Sequence, residues 1–296
     1  MNGTDADTGK DVIVGVDGTP ASDAALRWAA AEAARSRARL RVVLVYHWRW
    51  PGGIGATDRI EGYTREQAEA AVDAAVRAVR AHRPGLDVSG FAVFGDPADV
   101  LAGLAAGAAL TVVGSHGRTA LADATRGATG TRVAMRARGR VAVVRGRTEA
   151  ADGPVVVGVD GSPTDDRLLA TAFEHAARRG CEVVALRVQA PQAAPWGVGI
   201  PPLATNPVQA RANRLAELTD DVQRWHEKYP TVPAMARMPG GDPASALLDA
   251  SGEAQLLVLG GRAHGPVAGL LAGSVSQRLL FHAECPLLIV HDGRRG

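Results

Sequence analysis

Two segments of this 296-residue chain have the composition that backbone chemistry needs to hold an anion. The first reads Gly114-Ser115-His116-Gly117, nine residues, then Gly127-Ala128-Thr129. The second reads Gly260-Gly261-Arg262-Ala263, nine residues, then Gly273-Ser274-Val275-Ser276. Glycine lets the chain turn through positive φ and keeps Cβ atoms out of the way, so amide N–H groups can approach an anion. Where such a segment opens a helix, the unpaired N–H groups of the first turn attract phosphate. His116 and Arg262 stand at equivalent places, 146 positions apart, and a basic side chain there suits a phosphate contact. A second kind of chemistry comes from Asp17 and Asp160, each following a run of five mostly β-branched residues. A carboxylate at such a place can accept hydrogen bonds from a ring amino group or a sugar hydroxyl. It can also cap a helix, although Thr19 and Ser162 are available for that work.

These residues recur because the chain is duplicated. Val12–Gly18 (VIVGVDG) returns as Val155–Gly161 (VVVGVDG) at a spacing of 143. Gly95-Asp96-Pro97 returns as Gly241-Asp242-Pro243 at 146, as do Gly114 and Gly127 in Gly260 and Gly273. Four landmarks in one order, at a period this long, indicate two whole domains. The expected boundaries are 1–147 and 154–296, each a common size for a single core.

The elements that must position the glycines and the carboxylate alternate regularly. Strands are expected at 12–16, 40–46, 87–94, 109–113 and 140–145, with helices at 21–36, 64–82, 98–107 and 127–138. The second copy repeats them, with strands at 155–159, 182–188, 232–238, 255–259 and 286–291 and helices at 165–179, 207–228, 244–251 and 274–283. An insertion falls in the proline-rich stretch 189–206. Continuous apolar runs such as 12–16 mark strands covered on both faces, and strict alternation with helices calls for a parallel sheet with right-handed crossovers. The sheet is expected to reverse its strand order beside the first strand, where open α/β sheets bind ligands. The last strands, 140–145 and 286–291, are expected to be edges that need cover.

Composition narrows the function. There are 33 basic and 31 acidic residues with no long basic block, which argues against a nucleic-acid footprint. No apolar run approaches the roughly 18 residues of a membrane span. The polar, acidic start MNGTDADTGKD is expected to be a disordered lead rather than an export signal, which places the chain in the cytoplasm. Cys181 and Cys285 are then expected to be buried, reduced thiols. No histidine has a second ligand at metal-binding spacing. Trp28 and Trp225 lie in helical patterns and read as core, whereas Trp48 and Trp50 read as packing or interface residues with base stacking as the alternative.

The strand ending in VDGT or VDGS and the pattern G-x2-G-x9-G-[ST] resemble the universal stress protein family. The segment from Ser274-Val275-Ser276 to His282-Ala283-Glu284-Cys285-Pro286-Leu287 adds to the likeness, which covers nearly the whole chain. The resemblance implies two tandem Rossmann-like domains of the adenine nucleotide alpha hydrolase type, each a five-stranded parallel sheet covered by helices, paired through their last strands as a pseudo-dimer. In the nucleotide-binding branch it implies ATP, with or without Mg2+, at the carboxyl edge. The adenosine side would be Gly15, Asp17 and Val45 in the first copy and Gly158 and Asp160 in the second, with Arg187 bordering the base. The phosphate side would be Val113, Gly114, His116, Gly117, Arg118, Gly127, Ala128 and Thr129, matched by Leu259, Gly260, Arg262, Ala263, Gly265, Gly273, Ser274, Val275 and Ser276. Each copy departs once from the loop pattern. Ala128 replaces a hydroxyl residue, with Thr129 beside it, and Ala263 replaces the second glycine.

The implied function is an ATP-binding regulatory or signalling protein of a stress or dormancy response, forming a homodimer and acting on a regulatory partner. A structural adaptor that has lost nucleotide and a slow ATPase are the alternatives. The chain has no GxxxxGK[ST] loop, neither Lys10 nor Lys228 is near a glycine cluster, and no carboxylate pair is arranged for magnesium, so no catalytic residue is assigned.

Overall fold

A computed structural model describes residues 10–46, 64–115, 128–148, 152–189, 206–261 and 274–291. The first half runs β1 (Val12–Val16), α1 (Pro20–Ser36), β2 (Leu40–Tyr46), α2 (Arg65–His82), β3 (Val88–Phe94), α3 (Pro97–Ala105), β4 (Leu110–Gly114), α4 (Ala128–Arg136) and β5 (Arg140–Val144). The second runs β6 (Val155–Val159), α5 (Asp165–Arg179), β7 (Val183–Arg187), α6 (Pro207–Lys228), β8 (Ala234–Arg237), α7 (Pro243–Ser251), β9 (Leu256–Gly260), α8 (Ser274–His282) and β10 (Leu287–Val290). The expected elements are all present, with ends displaced by at most three residues. Trp48, Trp50, the glycine-rich stretch 51–56 and nearly all of the insertion 189–206 lie outside the described residues.

Two compact units form. Unit 1 comprises 1–149 with 286–296, and unit 2 comprises 150–285. In unit 1 the strand order is β3-β2-β1-β4-β5-β10. The first five strands are parallel, and β10 is antiparallel to β5 with Leu287 opposite Val143 and Val290 opposite Arg140. β5, expected to be an edge in need of cover, is covered by β10, the pairing of last strands that the resemblance implied. In unit 2 the order β9-β6-β7-β8 repeats β4-β1-β2-β3. Gly15 pairs with Val43 and Gly158 with Leu186, so the two units share one register.

Local chemistry explains the elements that matter for a site. β1 is apolar because it is covered on both faces, and Val12, Ile13 and Val14 are buried. α1 lies close to the sheet because its inner positions are small: Ala25, Ala29, Ala30 and Ala33 are buried alongside Trp28. Thr19 caps α1, accepting from the Ser22 N–H at 3.3 Å, and Pro20 pre-sets the first turn. Trp225 departs from its expected core position. It is half-buried, stacked against Phe173 and Tyr229, and its indole N–H donates to Asp166 at 2.9 Å. Cys285 is buried and Cys181 half-buried. No helix among the described residues is long and apolar enough to cross a membrane.

Candidate functional site

The chain leaves β1 toward β2 on one side, and β4 lies on the other, so a crevice opens between the carboxyl ends of β1 and β4. Gly15, Val16, Asp17, Thr19, Ala21 and Ser22 line it from β1 and the start of α1. Val43 and Val45 come from β2, Pro97 and Leu101 from α3, Val113 and Gly114 from β4, and Thr129 and Gly130 from α4. Its volume is about 90 Å3.

Close backbone approach makes the glycines obligatory here. A Cβ on Gly114 would lie 2.7 Å from the Ala21 carbonyl oxygen, and one on Gly130 would lie 2.7 Å from the Gly114 oxygen. Three main chains thus converge at the end of β4. Gly15 has a packing reason as well, since a Cβ there would stand 2.7 Å from Leu101 Cδ1. Gly158 is crowded in the same way by Leu259 and Leu247.

The two aspartates do related but unequal work. The exposed Asp17 accepts from the Thr19 N–H at 3.0 Å and the Thr19 hydroxyl at 2.6 Å, which orders the loop that caps α1. Asp160 accepts from the Ser162 N–H at 3.0 Å. Ser162 is not the cap of α5, contrary to its sequence role. Thr164 occupies the cap position and makes no side-chain cap bond, while its hydroxyl pairs with that of Ser162 at 2.6 Å. Instead, Asp165 reaches back and accepts from the N–H groups of Asp160 at 3.2 Å and Gly161 at 2.7 Å. Burial pushes the Asp165 carboxyl up to about 6, against the opposing pull of those amides and of Arg187. Arg187, at the end of β7, lies against the loop that follows β6. Its guanidinium stands where a side chain on Gly161 would go, 3.7 Å from the Glu217 carboxylate.

A clamp repeated in both units was missed in the sequence. Asp96 caps α3, accepting from the Ala98 and Asp99 N–H groups at 3.0 and 3.1 Å, while Arg132 of α4 grips both its oxygens at 3.0 and 3.2 Å. Asp242 caps α7 and is held by Arg278 of α8 at 2.7 Å. The hydrogen bond from Arg132 holds Asp96 below the usual carboxylate range; the Ser245 hydroxyl and N–H, then Arg278, do the same for Asp242. The signal was available, since both partners repeat at 146, but an arginine 36 residues from its aspartate gives no local pattern. Ser22, Val43, Pro97, Leu101 and Gly130 were likewise missed as lining residues.

Among the expected phosphate-side residues, Val113, Gly114 and Thr129 come together in the crevice. Leu259 and Gly260 end β9, while Val275 and Ser276 lie in the first turn of α8, which begins at Ser274 as α4 begins at Ala128. His116, Gly117, Arg118, Gly127, Arg262, Ala263, Gly265 and Gly273 lie outside the described residues. No cluster of three or more potential metal ligands occurs among the described residues.

Known proteins resemble the chain over its full length. A universal stress protein of Mycobacterium tuberculosis H37Rv is 34% identical over 95% of this chain and 97% of its own. One from Mycolicibacterium smegmatis is 34% identical over 94% and 96%. The crystal structure of a universal stress protein from Archaeoglobus fulgidus matches the fold with a TM-score of 0.69 at 16% identity, covering 97% of both chains. With the family's sequence pattern matched twice, at residues 9–145 and 153–291, the chain belongs to the universal stress protein family.

Proposed function

We propose that this universal stress protein binds an adenine nucleotide, ATP foremost, in the unit 1 crevice, and that occupancy sets its conformation or partner as a regulatory protein. The convergence at Gly114 carries this reading. Bare main chain from β4, α1 and α4 meets there, beside the Asp17 loop and above an apolar floor of Val43, Val45 and Leu101. Such a combination suits a flat apolar base against the floor and an anionic tail toward the first-turn N–H groups of α4. Any Mg2+ would travel on the phosphates, the usual arrangement for that ion. Regulation through occupancy further requires two states that differ in nucleotide affinity.

Val45→Trp tests the site better than a change at Gly114, which would drive a Cβ into the backbone of α1. ATP at about a hundredfold over its Kd stabilises a protein by roughly 2.7 kcal/mol. The wild type should show that thermal shift, and Val45→Trp should lose at least tenfold in affinity with unchanged circular dichroism. Absence of any shift or co-purified adenine nucleotide in the wild type rejects the reading. Phosphate release from the same two proteins tells whether turnover, if measurable, belongs to this crevice.

A further inference from the structure

The two units differ most where they should be most alike. Ser22 lines the unit 1 crevice, a buried neutral residue whose hydroxyl donates to the Thr19 carbonyl at 2.9 Å. The equivalent residue in unit 2, 143 positions on, is Asp165. Its carboxylate is also buried, and it takes the N–H groups of Asp160 and Gly161, which lie at the very end of β6. The loop is refolded around it. α1 begins at Pro20, but α5 begins only at Asp165, two positions later in the repeat.

A second replacement reinforces the first. Leu44, opposite Val16 in unit 1, becomes Arg187, opposite Val159 in unit 2. The Arg187 guanidinium lies against Gly161, donates to the Arg214 carbonyl at 3.4 Å, and faces Glu217 of α6 at 3.7 Å. Among the described residues, the charged groups that interact at the β6 end are Asp160, Asp165, Glu217 and Arg187. Two backbone donors there are already used by a buried internal carboxylate.

We infer that Asp165, supported by Arg187, closes the second crevice to a phosphorylated ligand, so that each chain takes one nucleotide and takes it in unit 1. This rests on the nucleotide reading above and adds an asymmetry to it. A buried carboxylate thus occupies the position that Ser22 holds at the crevice wall of unit 1, and the duplicated chain has one binding unit and one locked unit.

Native mass spectrometry and calorimetry with ATP on the full chain test this. The wild type should bind one ATP per chain, and Val45→Trp should bind it at least tenfold more weakly. Asp165→Ser, which restores the residue of unit 1, should raise the count to two in the wild-type background and to one with Val45→Trp. Asp165→Asn keeps an acceptor for the loop amides without the charge, so it serves if Asp165→Ser does not fold. It should tighten ATP at the second site at least tenfold. Two ATP per wild-type chain, or one held by Val45→Trp at wild-type affinity, overturns the lock while leaving nucleotide binding intact. A count fixed at one in both Asp165 variants also overturns it. Zero in the wild type and in every variant rejects the nucleotide reading itself, and the lock with it.

Discussion

At the residue scale, Asp165 ties a local choice of side chain to a measurable property. Burial raises its carboxyl to about 6 and Asp160 adds to the rise, while two amides and Arg187 oppose it. Because the folded value is above the unfolded one, the group favours folding fully below its unfolded value near 3.8. That contribution is lost as pH rises through about 6. Asparagine does not titrate, so the stability of Asp165→Asn relative to wild type should grow between pH 4 and pH 7. The gain should be on the order of 1 kcal/mol once solvent screening is allowed for. Denaturant titrations of both proteins across pH 4–8 measure this, and a constant difference would show that Asp165 is not strained by burial. The substitution of Ser22 by Asp165 is visible when the repeats are aligned. Its consequence is not, because which amides a carboxylate finds depends on where the helix begins.

At the element scale, the repeated aspartate–arginine clamp sets how α3 meets α4, and both helices contribute lining residues to the crevice. Asp96→Ala removes the cap of α3 as well as the partner of Arg132. Loss of such a cap costs about 1 kcal/mol, and the half-exposed ion pair adds little more. In a unit of this size the melting temperature should fall by roughly 3 °C. Affinity for ATP should also drop although Asp96 does not line the crevice, because Pro97, Leu101, Thr129 and Gly130 would lose their alignment. Thermal melts with and without ATP separate the two effects. The clamp is present above the unfolded pKa of Asp96 and is lost as pH falls through its lower folded value. Gly-Asp-Pro was readable as a turn and a repeat landmark, since Asp before Pro is a strong helix start. The arginine that completes it was not, because α4 approaches α3 only after the sheet forms.

For the whole molecule, the final strand is the feature on which unit 1 depends. Leu287, Leu288, Ile289 and Val290 are buried in β10, and His291 closes it, its ring nitrogen 2.7 Å from the Ala134 carbonyl oxygen. At about 1.5–3 kcal/mol for each buried side chain, their loss approaches the whole stability of a domain, about 5–15 kcal/mol. A chain ending at Glu284 should therefore lose the unit 1 melting transition or aggregate through the bared edge of β5. Calorimetry and size-exclusion chromatography would show either outcome, and an unchanged melt would deny β10 this role. The duplication, the α/β alternation and two glycines of the crevice, Gly15 and Gly114, were legible in the sequence, while Gly130 was not. Hydrophobic period, turn chemistry and repeat spacing are properties of neighbours along the chain, and they survive in any arrangement of the elements. Three things came only with the packed chain: the antiparallel register of β10 on β5, Arg132 on Asp96, and Asp165 filling the loop that its counterpart Ser22 leaves to a crevice. Each is a polar group or strand edge satisfied by whatever partner comes within reach, and reach across many residues is a property of three dimensions.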